Sequence, residues 1–213
     1  MRRIPRSILA GAALLAFAAT SAAGQTIGFK LGASLSTLSV GGSTEGFNYS
    51  TGFTGGGFIR FDLGRIGVQP EILTVTKGAK FEGGPGDDEA GVNIEYVAVP
   101  VLLHVPLMYG QSFAPYVFGG PEIAFDIGCE QDLGPTEVDC EDPAADEFQR
   151  KSIDFGLTAG GGLAFAMGPG ALLLEGRYTW GLTNIQDIDG EDEVKNRSAY
   201  IMAGYSIPLG RRY

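Results

Sequence analysis

The residues with chemical potential are few and scattered. His104 is the only histidine. A hydrolase or acyltransferase would need it as a base, with a nucleophile and an orienting acid in reach. No Ser–Asp pair accompanies it in the sequence, so it reads as a structural or inward-facing histidine, and the catalytic alternative would show as loss of activity on replacing it. The acidic pairs Asp87–Asp88 and Glu141–Asp142 read as solvated loop charges. The run "DIDGEDE" (Asp187 to Glu193) could offer oxygen ligands to calcium, but its glycine comes too early and no glutamate closes an EF-hand loop. No phosphate loop and no zinc spacing occurs. The expectation is no catalytic residue, no metal and no cofactor. Cys129 and Cys140 lie in one polar segment and are expected to form a loop disulfide in an oxidising compartment.

The informative charges sit inside apolar runs. In "ALLLEGRYTWGLTNI" (Ala171 to Ile185), Glu175 and Arg177 stand two apart. Strand geometry puts them on one face with Leu173 and Thr179, while Leu172, Leu174, Gly176, Tyr178, Trp180 and Leu182 take the other. The same alternation sets Ile27, Phe29 and Leu31 against Gly28, Lys30 and Gly32. It also sets Phe155 and Leu157 against Asp154 and Thr158. The polar sets are too small and too charged to be the core of a soluble protein, since an unpaired buried carboxylate costs several kcal/mol. Pointing them into a lumen, with the apolar face toward lipid, removes the conflict.

The elements that would hold these residues are β-strands, expected at 26–40, 50–62, 66–81, 92–107, 113–127, 152–167, 171–184 and 197–209. Each reaches the roughly 9–11 residues that a tilted membrane strand needs, and eight is an even number, as closed bacterial barrels require. "LGR" (Leu63 to Arg65), "MYGQS" (Met108 to Ser112) and "GPG" (Gly168 to Gly170) are short links. They alternate with long polar ones starting at Gly41, Glu82, Cys129 and Gln186. Strict alternation gathers the long loops at one end, the pattern of short periplasmic turns and long extracellular loops. The fold class expected is an all-β, eight-stranded antiparallel transmembrane barrel in up-and-down order. In the fourth strand, "VNIEYVAVPVLLHVP" alternates cleanly only at its start, and Pro100 suggests a bulge.

That parity collects Lys30, Arg60, Glu71, Lys77, Glu122, Asp154, Glu175 and Arg177 inside. An eight-stranded barrel is just wide enough for side chains to fill. A cross-lumen ion-pair plug is the first reading, and a narrow or gated pore with Arg60 and Arg177 opposing the carboxylates is the second. A soluble lipocalin-like binder, periplasmic or secreted, stays open as a reading with reversed parity; aromatics near the strand ends such as Tyr178, Trp180 and Tyr200 favour the membrane.

At the amino end, Arg2, Arg3 and Arg6 precede the apolar "SILAGAALLAFAAT" and the small-residue "SAAG". This is the form of a secretory leader over 1–24, cut after Ala23 or Gly24, with the barrel domain occupying 25–213. No cysteine stands at the junction to carry a lipid. Loss of the three arginines takes the formal charge from −10 to −13, which argues against nucleic acid as a partner.

Eight stretches in order resemble the bacterial outer-membrane β-barrel family described as PorT-like or porin-like. They are "GFKLGASLS", "GFTGGGFIRFDL", "VQPEILTVTKGAKF", "YVAVPVLLHV", "PYVFGGPEIAF", "DFGLTAGGGLAF", "LEGRYTWGLTNI" and "NRSAYIMAGYSI". The resemblance runs from about Ile27 to Ile207. It implies a barrel embedded in the outer membrane, with membrane lipid and lipopolysaccharide as surroundings and the barrel-assembly machinery as a partner in biogenesis. It implies no particular substrate or solute. Ala98 stands at a position that is often polar in such proteins. The end of the chain also departs: Pro208 and "GRRY" follow Ile207, so the terminal aromatic read in assembly is Tyr213 or, failing that, Tyr205.

Overall fold

The computed structural model describes residues 24–40, 47–81, 90–108, 112–133, 136–139, 152–183 and 194–209. The strands are β1 (Gln25–Val40), β2 (Phe47–Leu63), β3 (Ile66–Phe81), β4 (Ala90–Pro106), β5 (Phe113–Leu133), β6 (Thr136–Asp139), β7 (Ile153–Met167), β8 (Gly170–Gly181) and β9 (Val194–Pro208). Eight of them form an antiparallel meander, each paired with its neighbour in sequence, and β9 closes onto β1 from Thr26↔Pro208 to Val40↔Val194. Closure leaves no open edge, the condition for a sheet to cross hydrocarbon. The ninth strand, β6, was not expected: β5 runs on to Leu133 and folds back with β6 as a short hairpin beyond the barrel wall.

Two of the short links are two-residue hairpin turns. Leu63 pairs with Ile66 and Met167 with Gly170, leaving Gly64–Arg65 and Gly168–Pro169 to reverse the chain. Gly64 and Gly168 have φ of 78° and 61°, a conformation such turns need and L side chains resist. Prolines interrupt the wall. Pairing of β2 with β3 lapses between Phe58↔Glu71 and Phe61↔Val68, opposite Pro70. Pairing of β3 with β4 lapses between Pro70↔Val101 and Leu73↔Ala98, opposite Pro100. The register shift of β4 against β5 falls at Glu95/Tyr96, not at Pro100. A proline has no N–H for the ladder, but here its ring keeps its place in the alternation, since Ile94, Tyr96, Ala98, Pro100, Leu102 and His104 are all buried.

The two faces separate cleanly. Ile201 is 74% exposed, Ile72 64% and Phe29 55%, whereas Lys30, Glu71 and Lys77 are at most 2% exposed. Water outside such a surface would be costly, at about 25 cal/mol for each Å² of apolar area. A lipocalin-like barrel needs the opposite arrangement. The outward run from Leu172 on β8 to Leu182 just past its end climbs about 25 Å if tilted by roughly 40°, the height of the apolar band of a membrane barrel. Among the described residues no helix is long and apolar enough to cross a membrane.

The faces can be tested at two glycines. A Cβ on the inward Gly32 would run into the Ile201 carbonyl and come within 2.7 Å of the Met202 Cα, while one on the outward Gly176 meets nothing within 4 Å. Gly176→Leu is expected to refold and keep the heat-dependent mobility shift of a closed barrel on gels, and Gly32→Leu to lose it. Equal behaviour of the two would show the facing to be wrong.

Candidate functional site

The candidate site is the filled lumen, and alternating strands supply it. Going round the ring, β1, β3, β5 and β8 are every second stave. Their inward positions at one height are Lys30, Glu71, Tyr116 and the pair Glu175 and Arg177. Lys30 Nζ lies 2.8 Å from Glu71 Oε1 and 2.7 Å from Glu175 Oε1. From β8, Arg177 reaches Glu71 Oε2 at 2.8 Å, and it also holds Glu175 Oε2 at 2.6 Å. Since β3 and β8 face each other, the Arg177–Glu71 bond spans the bore. Gln69 donates to Glu71 Oε1 at 2.7 Å and the Tyr116 hydroxyl to Glu175 Oε1 at 2.9 Å. Two cations and two carboxylates therefore balance, and neutral donors take up the remaining carboxylate capacity.

Space for these long side chains comes from glycines beside them. Lys30 pairs with Gly56 on one side and Gly204 on the other, and on β7 Gly160 and Gly162 lie against Arg177 and Glu175. Small residues next to large ones are how a narrow bore is filled. Aromatic rings complete the layer: Lys30 Nζ is 4.6 Å from the Phe58 ring centre and the Arg177 guanidinium carbon is 5.1 Å from that of Phe118, both within cation–π range.

A second polar layer lies nearer the long loops; on β3 the buried Leu73 and Val75 stand between Glu71 and Lys77, whereas on β8 Thr179 follows Arg177 directly on the inner face. Here Lys77 Nζ is 3.1 Å from Glu122 Oε1 and 3.6 Å from Asp154 Oδ2. Thr158 donates to Glu122 at 2.8 Å, Thr158 and Thr179 share a hydrogen bond of 2.7 Å, and Asn196 donates to Asp154 Oδ2 at 2.8 Å. Among the described residues this layer holds one cation against two carboxylates, and Asp154 Oδ1 is buried with no hydrogen-bond partner.

Arg60 is set apart from both layers. It sits near the short-turn mouth, bonded to Asp62 Oδ1 at 2.9 Å and to Thr26 at 3.4 Å, and its side chain is partly exposed. His104 is buried on the inner face with its ring 4.5 Å from that of Tyr116, and among the described residues its Nδ1 has no hydrogen-bond partner. Ala98 faces the lumen and is fully buried there. Gln69, Tyr116, Thr158 and Thr179 share an inward face with a charged residue of their own strand, whereas the inward face of β9 that carries Asn196 holds no charge; being neutral, none of the five gives a stronger signal in the sequence. Cys129 is buried at the loop end of β5, and Cys140 lies outside the described residues, as do "DIDGEDE", residues 1–23 of the leader and Tyr213. Among the described residues no three His, Cys, Asp or Glu side chains cluster as a metal site would require.

Comparison with known structures gives the same architecture. Neisserial surface protein A aligns over 87% of this chain and 97% of its own at 14% identity, with a TM-score of 0.54. The outer membrane protein OprG of Pseudomonas aeruginosa aligns over 87% and 96% at 15% identity, with a TM-score of 0.52. At such identities the likeness is one of fold. No protein of curated function matches the sequence significantly. The sequence profile of the outer membrane protein β-barrel domain matches residues 18–187, most of the chain. The protein therefore belongs to the outer membrane protein β-barrel domain family and is an integral outer-membrane barrel.

Proposed function

We propose that the protein is a non-enzymatic barrel whose lumen is a structural plug and whose role is played at the cell surface by the long loops it anchors. The observation that carries this reading is the bond between Arg177 and Glu71 across the bore, inside a layer whose charged side chains have almost no exposed surface. A solute would have to break that layer. No chemistry is assigned to His104, which is enclosed beside Tyr116. The narrow porin-like reading has one observation in its favour, the uncompensated carboxylate of the second layer, which would attract cations from the loop side. Planar-bilayer recording separates the two: the plug predicts no sustained conductance from the wild-type protein, and a steady open channel would replace it with the porin-like reading.

The plug should also brace the barrel. Removing one partner of a buried ion pair leaves the other charge uncompensated, at about 3–5 kcal/mol. Glu71→Ala is expected to lower unfolding stability in lipid vesicles by that amount. Asp62→Ala, at the exposed mouth, should lower it by under about 1 kcal/mol. Similar urea midpoints for the two would mean that the layer does not brace the wall.

Export and the loop staple belong to the same reading. Intact mass of protein purified from outer membranes is expected to show a chain starting at Gly24 or Gln25, lighter by two hydrogens than the reduced form through a Cys129–Cys140 bond. A full-length or fully reduced chain would contradict the corresponding part.

A further inference from the structure

The lipid-facing wall is not smooth. Between β2 and β3, in the half of the barrel nearer the short turns, lies a groove of about 550 Å³. Its floor is at the outward Gly57, and Ile59, Phe61, Pro70, Ile72 and Val99 form its sides. It lies where the β2–β3 and β3–β4 ladders lapse at Pro70 and Pro100. Gly57 contributes no side chain to fill it; a Cβ there would meet only the Gly28 carbonyl, at 3.7 Å. The groove does not lead inside, because the Glu71 side chain behind it has no exposed surface.

We infer that this groove seats one acyl chain of a glycerophospholipid of the periplasmic leaflet, with the lipid phosphate at Arg65. The inference rests on the protein's being an integral outer-membrane barrel. Three features choose this occupant. The groove opens onto hydrocarbon, and its lining is almost wholly apolar, so no polar partner could be satisfied there. It runs along β2 for the length of Gly57 to Phe61, about 13 Å at strand rise, which suits an extended chain rather than a protein side chain. Directly below it, the turn joining the same two strands presents the exposed Arg65 at the depth of a headgroup, where a guanidinium complements a phosphate. Lipopolysaccharide would occupy the opposite leaflet, above the groove.

The test is native mass spectrometry of protein released from vesicles of phosphatidylethanolamine and phosphatidylglycerol, comparing wild type, Gly57→Phe, Gly176→Phe and Arg65→Gln. A phenyl ring at position 57 fills the groove, whereas one at 176 projects from the opposite wall into open space. One phospholipid is expected to stay bound to wild type and Gly176→Phe after detergent exchange, to fall about tenfold in Gly57→Phe, and to fall partially in Arg65→Gln. No retained lipid on wild type, or equal retention by Gly57→Phe, overturns the groove; equal retention by Arg65→Gln overturns the headgroup contact and keeps a test available if Gly57→Phe does not fold. Carbonate-washed outer membranes from the same cells separate this from the membrane reading. Absent lipid on protein that stays in the washed membrane overturns the lipid site alone, while release of wild type by the wash overturns both.

Discussion

The Glu71 carboxylate sets the terms for the rest of the molecule. An isolated ion in a low-dielectric interior loses several kcal/mol of hydration, and its charge partners offset this only with good geometry and with its other lone pairs satisfied. Glu71 meets both conditions by taking Lys30 from β1, Arg177 from β8 and Gln69 from its own strand. Those donors converge only if the sheet has closed, because Arg177 approaches from the far side of the bore. Closure, the bore's width and the glycines beside Lys30 and Arg177 are thus requirements of one buried anion as much as of the backbone.

Separation into two layers follows from the same economy. A continuous polar column would let water thread the barrel and screen each pair. Leu73, Ala98 and Met202 narrow it on β3, β4 and β9, while on β8 Arg177 and Thr179 follow one another on the inner face. The layer above carries the excess carboxylate and is the one nearer the long, acidic loops. Among the described residues, one layer matches its charges evenly and the other has one more carboxylate than cation, although both are built from the same residue types.

The sequence made some of this readable and hid the rest for physical reasons. Strand positions follow from period 2 and from the alternation of loop lengths, and in β8 or β1 a short stretch such as Leu172 to Trp180 is enough to separate the faces. β4 was harder, because both of its faces are apolar around Val99 to Leu103; only the wall's curvature tells Leu102 from Leu103. β6 left no such mark, being four residues paired solely to the extension of β5. Pairing within the lumen is of another kind again. Glu175 and Arg177 share a face by parity, but Arg177 and Glu71 are 106 residues apart. They meet through the stagger between strands, a property of the closed sheet that alternation along one strand does not contain.

A plug of apolar side chains would be no less stable, since buried ion pairs replaced by well-packed hydrophobic residues often gain stability. What an apolar plug would lose is the distinction between inside and outside. Both faces of every strand would then resemble β4 near Val99, and a slip of one residue in register, which exchanges the faces, would cost little in lipid. With the charges in place, the same slip in β1, β3 or β8 carries Lys30, Lys77 or Arg177 into hydrocarbon, where a cation at the midplane costs about 2–4 kcal/mol. The penalty adds across strands paired to one another, so the wrong registers are removed together. Besides bracing the barrel, the ion pairs thus fix which way its strands face.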